Sequence, residues 1–257
     1  KTYEEVVAAA EKIRAAGKMK YPYAAAYKAG WNLAEEFVNM YIGHGGEFFD
    51  AGSAKPSINN AKGVATLNML KKLADLSNPD FLTHDSEAIK VEWEAGNVAI
   101  MTLWASRSGT LLDDEGDAKI TAATKLVAPA TVGGGNIPAA TLWWDGFTLA
   151  KNRPDADAEA SFRAMAHAAS SKEMVAKAAD QAVWLVEGFV PGPKSVGVIE
   201  AVKMGAKPYP MLPQMGLMHG ALGNEIVEFL QGNETAEQAL KDVEAAYNTK
   251  AKEQGFL

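Results

Sequence analysis

No cysteine occurs among the 257 residues. Disulfides, zinc–thiolate sites and thiol nucleophiles are therefore excluded together, a composition that suits an oxidising compartment without demanding one. Histidine is scarce as well: His44, His84, His167 and His219 form no His-Glu-x-x-His and no pair at metal-ligand spacing, so neither a metal nor a cofactor is expected. Apolar runs stay well short of the roughly 18 to 20 residues that cross a bilayer, and the opening "KTYEEVVAAAEKI" lacks the apolar centre of a signal peptide. Basic runs are missing too. With 25 Lys and Arg against 32 Asp and Glu, the net charge is -7, and nucleic acid is not an expected partner. "GGGN" (133–136) has no following Lys-Ser/Thr to hold a phosphate, there is no Gly-x-Ser-x-Gly elbow, and the glycine of "DDEGDAK" (113–119) comes too early for a calcium loop. The first of these reads as a mobile loop and the last as a solvated turn.

What is present is a helix-rich pattern with short strands. Thr2 followed by Glu5 is a capping box, so a helix starts with no lead-in, runs through Val6, Val7, Ala10 and Ile13, and stops at Gly17. The chain looks cut here rather than begun. "MKYPYAAAY" reads as a strand with its exit loop, followed by helices over 31–41, 60–76 and 86–95 and a strand over 98–103. Further strands are expected at "KLVAPA" and "WDGFTLAK", on either side of the loop "TVGGGNIPAAT". Two helices follow from 154 to 177, the second with a capping box at Ser170 and Glu173; "VEGFVPGPKS" breaks the pattern. One helix is then expected over 216–230, ended by Gly232, and a last one capped by Thr235 and Gln238. Helices alternating with short strands predict an α/β fold, with helices packed on a central sheet.

The residues most suited to binding are aromatic. Tyr27 and Trp31 follow the first strand, Trp104 ends the next, and Trp143 and Trp144 with Asp145 open another. Ligands of α/β proteins lie at strand ends, where large apolar faces need a few placed polar groups. A pyranose suits such a place: its C–H face lies on an indole while its hydroxyls need acceptors and donors such as Asp145 or Arg107. Each of these aromatics, taken singly, could equally be core packing; Trp93 and Trp184 are assigned to the core or to packing between lobes, and His44 to a surface loop with a minor prospect of reaching a ligand.

The string "KVEWEAGNVAIMTLWAS" resembles a segment of the family 1 extracellular solute-binding proteins of ABC importers, the group that includes maltose-binding protein, in which a helix and strand lead to a Trp that stacks on sugar. "KTYEEVVAAAEKI", "GHGGEFFD", "FTLAKNRPDADAEASFRAMAHAASSKEM", "YPMLPQM" and "GNETAEQALKDVEAAYN" are similar to other segments of that family in the same order, so the resemblance covers nearly the whole chain. It implies a type II periplasmic-binding-protein-like fold comprising one complete lobe plus helices of the other. Residues 1–146 and 208–257 would form the C-terminal ligand-binding lobe, and 147–207 a returning segment that packs on an N-terminal lobe, most of which would be missing with any signal peptide. The implied ligand-binding set is Tyr27, Trp31, Gly45, Gly46, Trp104, Arg107, Trp143, Trp144, Asp145 and His219. Met218 and His219 stand where some relatives carry a further aromatic against the sugar.

The implied function is capture of a sugar, oligosaccharide or polyol between lobes and delivery to ABC permease subunits, by a non-enzymatic, monomeric protein in the periplasm or attached outside the membrane. Closure would be a population shift toward the state in which both lobes touch the ligand. A micromolar site represents about 8 kcal/mol, so half of its contacts would leave millimolar affinity. Two rivals use the same aromatics. A carbohydrate-active enzyme would employ Asp145 as one of two carboxylates, the second having no obvious candidate, since Glu47 and Glu187 lie in glycine-rich loops. A peptide- or protein-binding module would use the rings as anchors.

Overall fold

A computed structural model describes residues 1–113, 116–179, 181–184 and 186–257. The first helix, α1 (Tyr3–Ala16), has the expected start and stop: Thr2 Oγ1 accepts from the Glu5 N–H, the Glu5 side chain accepts from the Thr2 N–H, and Gly17 closes it at φ 63°. Strand β1 (Tyr21–Ala24) leads to α2 (Trp31–Gly43) and then α3 (Ala61–Ala74), whose Asn60 side chain caps two N–H groups. Next come α4 (Ser86–Glu94), β2 (Val98–Met101) and the short α5 (Ala105–Ser108), with Trp104 as its first flanking residue.

A helix α6 (Ala118–Ala123), capped by Asp117, stands where only a turn was expected; Asp114 and Glu115 of that turn lie outside the described residues. β3 (Thr141–Leu142), α7 (Asp155–Ser170), α8 (Lys172–Lys177), α9 (Val196–Lys203) and β4 (Lys207–Pro208) complete the middle of the chain. The cap of α8 is Ser171 rather than Ser170. The C-terminal part holds α10 (Met215–Glu225), α11 (Val227–Gln231) and α12 (Ala236–Glu253), so the expected 216–230 helix is broken at Ile226 before Gly232 ends it.

Two parallel pairs, β1 with β2 and β3 with β4, take the place of one central sheet among the described residues. The strands expected at 125–130 and 144–151 do not form. The first segment contributes nothing to a ladder, and the second runs exposed from Trp143 onward. An apolar alternation becomes a strand only when a partner accepts from its N–H groups and donates to its C=O groups, and β3 finds β4 instead, through Thr141 against Lys207.

The core lies among α2, α3, α10 and α12. Leu33, Phe37 and Val38 meet Leu67, Leu70 and Leu73, with Leu222, Leu240, Val243 and Tyr247 closing the cluster. Two glycines bring backbones together at the start of α2. Gly30, at φ 93°, donates its N–H to the Gly223 carbonyl at 2.9 Å, and a Cβ on Gly223 would lie 2.2 Å from the Gly30 oxygen. The close approach of α10 fixes where α2 begins, and hence where Trp31 stands.

Residues 193–203 fold back on 105–112 and on β3. Helix α7 buries none of its side chains, and Phe147, Phe162 and Val190 are exposed.

Candidate functional site

One set of rings is built from residues that follow the four strands in sequence. Trp31 follows β1 and opens α2, Trp104 follows β2, Trp143 follows β3 and Tyr209 follows β4. Trp31 is at the centre. Its ring meets Trp104 edge-on at 5.3 Å between centroids, Trp143 at 5.8 Å and the His219 imidazole at 5.1 Å. Trp143 in turn lies 4.4 Å from Tyr209. These separations fall in the range where aromatic pairs attract. Trp31 and Trp143 each keep half of their surface exposed, while Trp104 and Tyr209 are part-buried. The result is a continuous, open aromatic face.

Beneath it is a polar layer that holds the rings. His219, on α10, is buried; its Nε2 lies 3.0 Å from the Trp31 carbonyl and its Nδ1 2.8 Å from the Tyr209 hydroxyl. A carbonyl only accepts, so Nε2 carries a proton, and in the neutral ring Nδ1 then accepts the Tyr209 O–H. Burial lowers the pKa of His219 in the same direction, and the same burial, with the nearby Glu35, raises that of the Tyr209 phenol. Glu35, one turn after Trp31 on α2, is buried and accepts from Thr141 Oγ1 at 2.7 Å and from Trp143 Nε1 at 3.2 Å. Burial pushes its carboxyl up to about 7, against the opposing effect of those hydrogen bonds. Its neighbour Glu36 turns the other way, toward Tyr3, Tyr23 and Tyr27, and is pushed up to about 8 by burial and by the charge of Glu35.

Of the sequence-derived site residues, Trp31, Trp104, Trp143 and His219 come together, His219 as a support below the face rather than on it. The others stand apart. Tyr27 is fully buried with its ring edge-on to Phe81, because the chain leaving β1 turns into the core before it reaches α2. Gly45 and Gly46 lie past the opposite end of the 13-residue α2, about 20 Å from Trp31. Their turn is a packing feature, since a Cβ on Gly46 would strike the Tyr41 ring at 2.4 Å. Arg107 pairs with Glu87 and lines a polar recess of about 340 Å³ with Lys90, Ser106 and Thr110, which contains none of the aromatic rings. Trp144 and Asp145 are exposed beyond Trp143, and Trp144 folds over Gly146 without joining the ring cluster.

Glu35, Asn39, Thr141 and Tyr209 were not expected. Trp31, Glu35 and Asn39 recur every four residues and so share one face of α2, a signal present in the sequence. Tyr209 sits in "KPYPMLPQM", which reads only as a helix breaker until β4 is seen.

Residues 1–177 match the family model described as bacterial extracellular solute-binding protein. The chain belongs to that family. Solved solute-binding proteins share its fold. One from Agrobacterium radiobacter K84, in complex with ribitol, superposes with a TM-score of 0.77 at 19% identity over 96% of this chain and 64% of its own. Maltose-bound MalE3 of T. maritima gives 0.77 at 18% identity over 96% and 65%. A protein from Agrobacterium vitis S4 with bound D-mannitol gives 0.74 at 18% over 99% and 66%. This solute-binding chain thus spans about two thirds of the length of those structures. No curated protein matches it in sequence. The family is extracellular by description, and among the described residues no helix is long and apolar enough to cross a membrane. Nor do the described residues bring three metal-ligating side chains together.

Proposed function

We propose that this solute-binding protein captures a sugar or polyol on the face formed by Trp31, Trp104, Trp143 and Tyr209, and delivers it unchanged to the permease of an ABC importer from the periplasm or outer face of the membrane. The observation that carries the reading is the contiguous, half-exposed aromatic face built from residues that follow the strands of the two parallel pairs. The C–H face of a sugar ring or an extended polyol matches such a surface, and its hydroxyls find acceptors at the rim, where Asp145 is exposed. Ribitol, maltose and D-mannitol in the similar structures support the same ligand class. The exposed apolar residues Phe147 and Phe162 support packing of segment 147–207 on a second lobe, which would cover the ligand from the other side.

The test is a tryptophan-fluorescence titration with ribitol, D-mannitol and maltose, on the wild-type chain and on Trp104→Ala. With one aromatic face supplying the contacts, a dissociation constant in the millimolar range is expected. The variant should lose the response. Superimposable titrations of the two proteins would end the reading.

A further inference from the structure

We infer that Glu35 is the positioning residue of the aromatic face: its proton decides which oxygen holds the indole N–H of Trp143, and therefore how that ring is presented. This rests on the sugar-binding reading of the same face.

The geometry is a four-member cluster under the rings. Trp143 Nε1 stands 3.1 Å from Thr141 Oγ1 and 3.2 Å from Glu35 Oε1, so its single N–H can turn to either. Thr141 Oγ1 in turn lies 2.7 Å from Glu35 Oε1 and 2.8 Å from Asn39 Oδ1. One hydroxyl proton cannot serve both of those acceptors. With Glu35 protonated on Oε1 the cluster closes: Glu35 donates to Thr141, Thr141 donates to Asn39, and the Thr141 oxygen accepts the Trp143 N–H. With Glu35 ionised, Thr141 and Trp143 both donate to the carboxylate, and Asn39 Oδ1 loses its donor. The second carboxyl oxygen, Oε2, is buried without a partner, which disfavours the ionised form. Burial places the exchange near pH 7.

Charged and titratable groups flank this part of α2 on several elements: Lys207 of β4 is exposed beside Thr141, and Glu225 ends α10. Glu36 follows on α2 itself, and Tyr209 faces Glu35 from beyond β4, with neutral His219 of α10 behind it. β3 presents the uncharged Thr141 and Trp143. On the α3 side, Lys62 is bonded to the Gly45 carbonyl at the far end, Lys71 is paired with Asp75, and Lys72 is exposed.

The six tryptophans of the chain give six indole N–H signals in a ¹⁵N-labelled sample, and Trp143→Phe identifies one of them. That signal is expected to move as pH is raised from 5.5 to 8.5, with a midpoint near 7, and to become pH-independent in Glu35→Gln; the other five signals report that the variant is folded. Thr141→Val, which removes the alternative oxygen, should hold the signal near its high-pH position and serves if Glu35→Gln does not fold. Maltose or ribitol affinity should differ about threefold between pH 5.5 and 8.5 in the wild type, the scale of exchanging a neutral for a charged hydrogen bond, and not in Glu35→Gln. A Trp143 signal that stays still, or titrates equally in Glu35→Gln, overturns the inference even if sugars bind. A signal that titrates as expected while no sugar binds at either pH leaves Glu35 as the positioning residue and removes the sugar reading instead.

Discussion

Replacing Glu36 by Gln is expected to change how stability depends on pH more than it changes stability in acid. Glu36 is 4% exposed, and its carboxyl is pushed up to about 8 from an ordinary 4.5, first by burial and then by Glu35. The unfolded chain gives up this proton above pH 4.5, whereas the folded chain keeps it to about 8. Folding is thus coupled to proton uptake across that window. The stability is fully present below pH 4.5 and is lost as pH rises through 8. At 1.36 kcal/mol per unit, the loss is about 3 kcal/mol by pH 7 and about 5 kcal/mol once the folded group has ionised. Glutamine stays neutral throughout, so Glu36→Gln should match the wild type within about 1 kcal/mol at pH 5 and exceed it by several kcal/mol at pH 8.5. For a chain of this size that is a Tm higher by roughly 10 °C. Urea unfolding at pH 5, 7 and 8.5 measures this directly. If Glu36→Gln loses as much stability as the wild type over that range, the buried carboxyl is not the source and the reasoning is wrong.

Three further outcomes can be checked. Gly223→Ala places a Cβ against the Gly30 carbonyl, which is backbone and cannot swing away; a loss of about 1–3 kcal/mol is expected, together with weaker sugar binding because Trp31 is displaced, and unchanged thermal unfolding would contradict it. Tyr209→Phe removes the O–H that His219 Nδ1 accepts; about 1 kcal/mol of stability should go by chemical denaturation, with the ring stack on Trp143 kept. Thr235→Ala deprives α12 of its cap on the Gln238 N–H, at a cost of about 1 kcal/mol and a Tm lower by roughly 2–4 °C, measurable by circular dichroism.

The elements legible in the sequence were those governed by neighbours along the chain. Thr2 with Glu5 and Thr235 announced their helices because a side-chain oxygen three residues from a free N–H is a local matter, and Gly17 and Gly232 announced the ends because only a positive φ is needed there. Trp31, Trp104 and Trp143 were likewise readable as large apolar rings left at strand ends. Partnership between distant segments was a tertiary decision. "WDGFTLAK" has the composition of a strand but finds no ladder, while Thr141 pairs with Lys207 across most of the intervening chain and thereby delivers Tyr209 to the rings. Tyr27 looked like its aromatic neighbours until burial set it in the core. Glu35 acquires its role only when β3 lays Thr141 and Trp143 over it, since desolvation and a shared proton depend on what covers a carboxyl, not on the residues beside it in sequence.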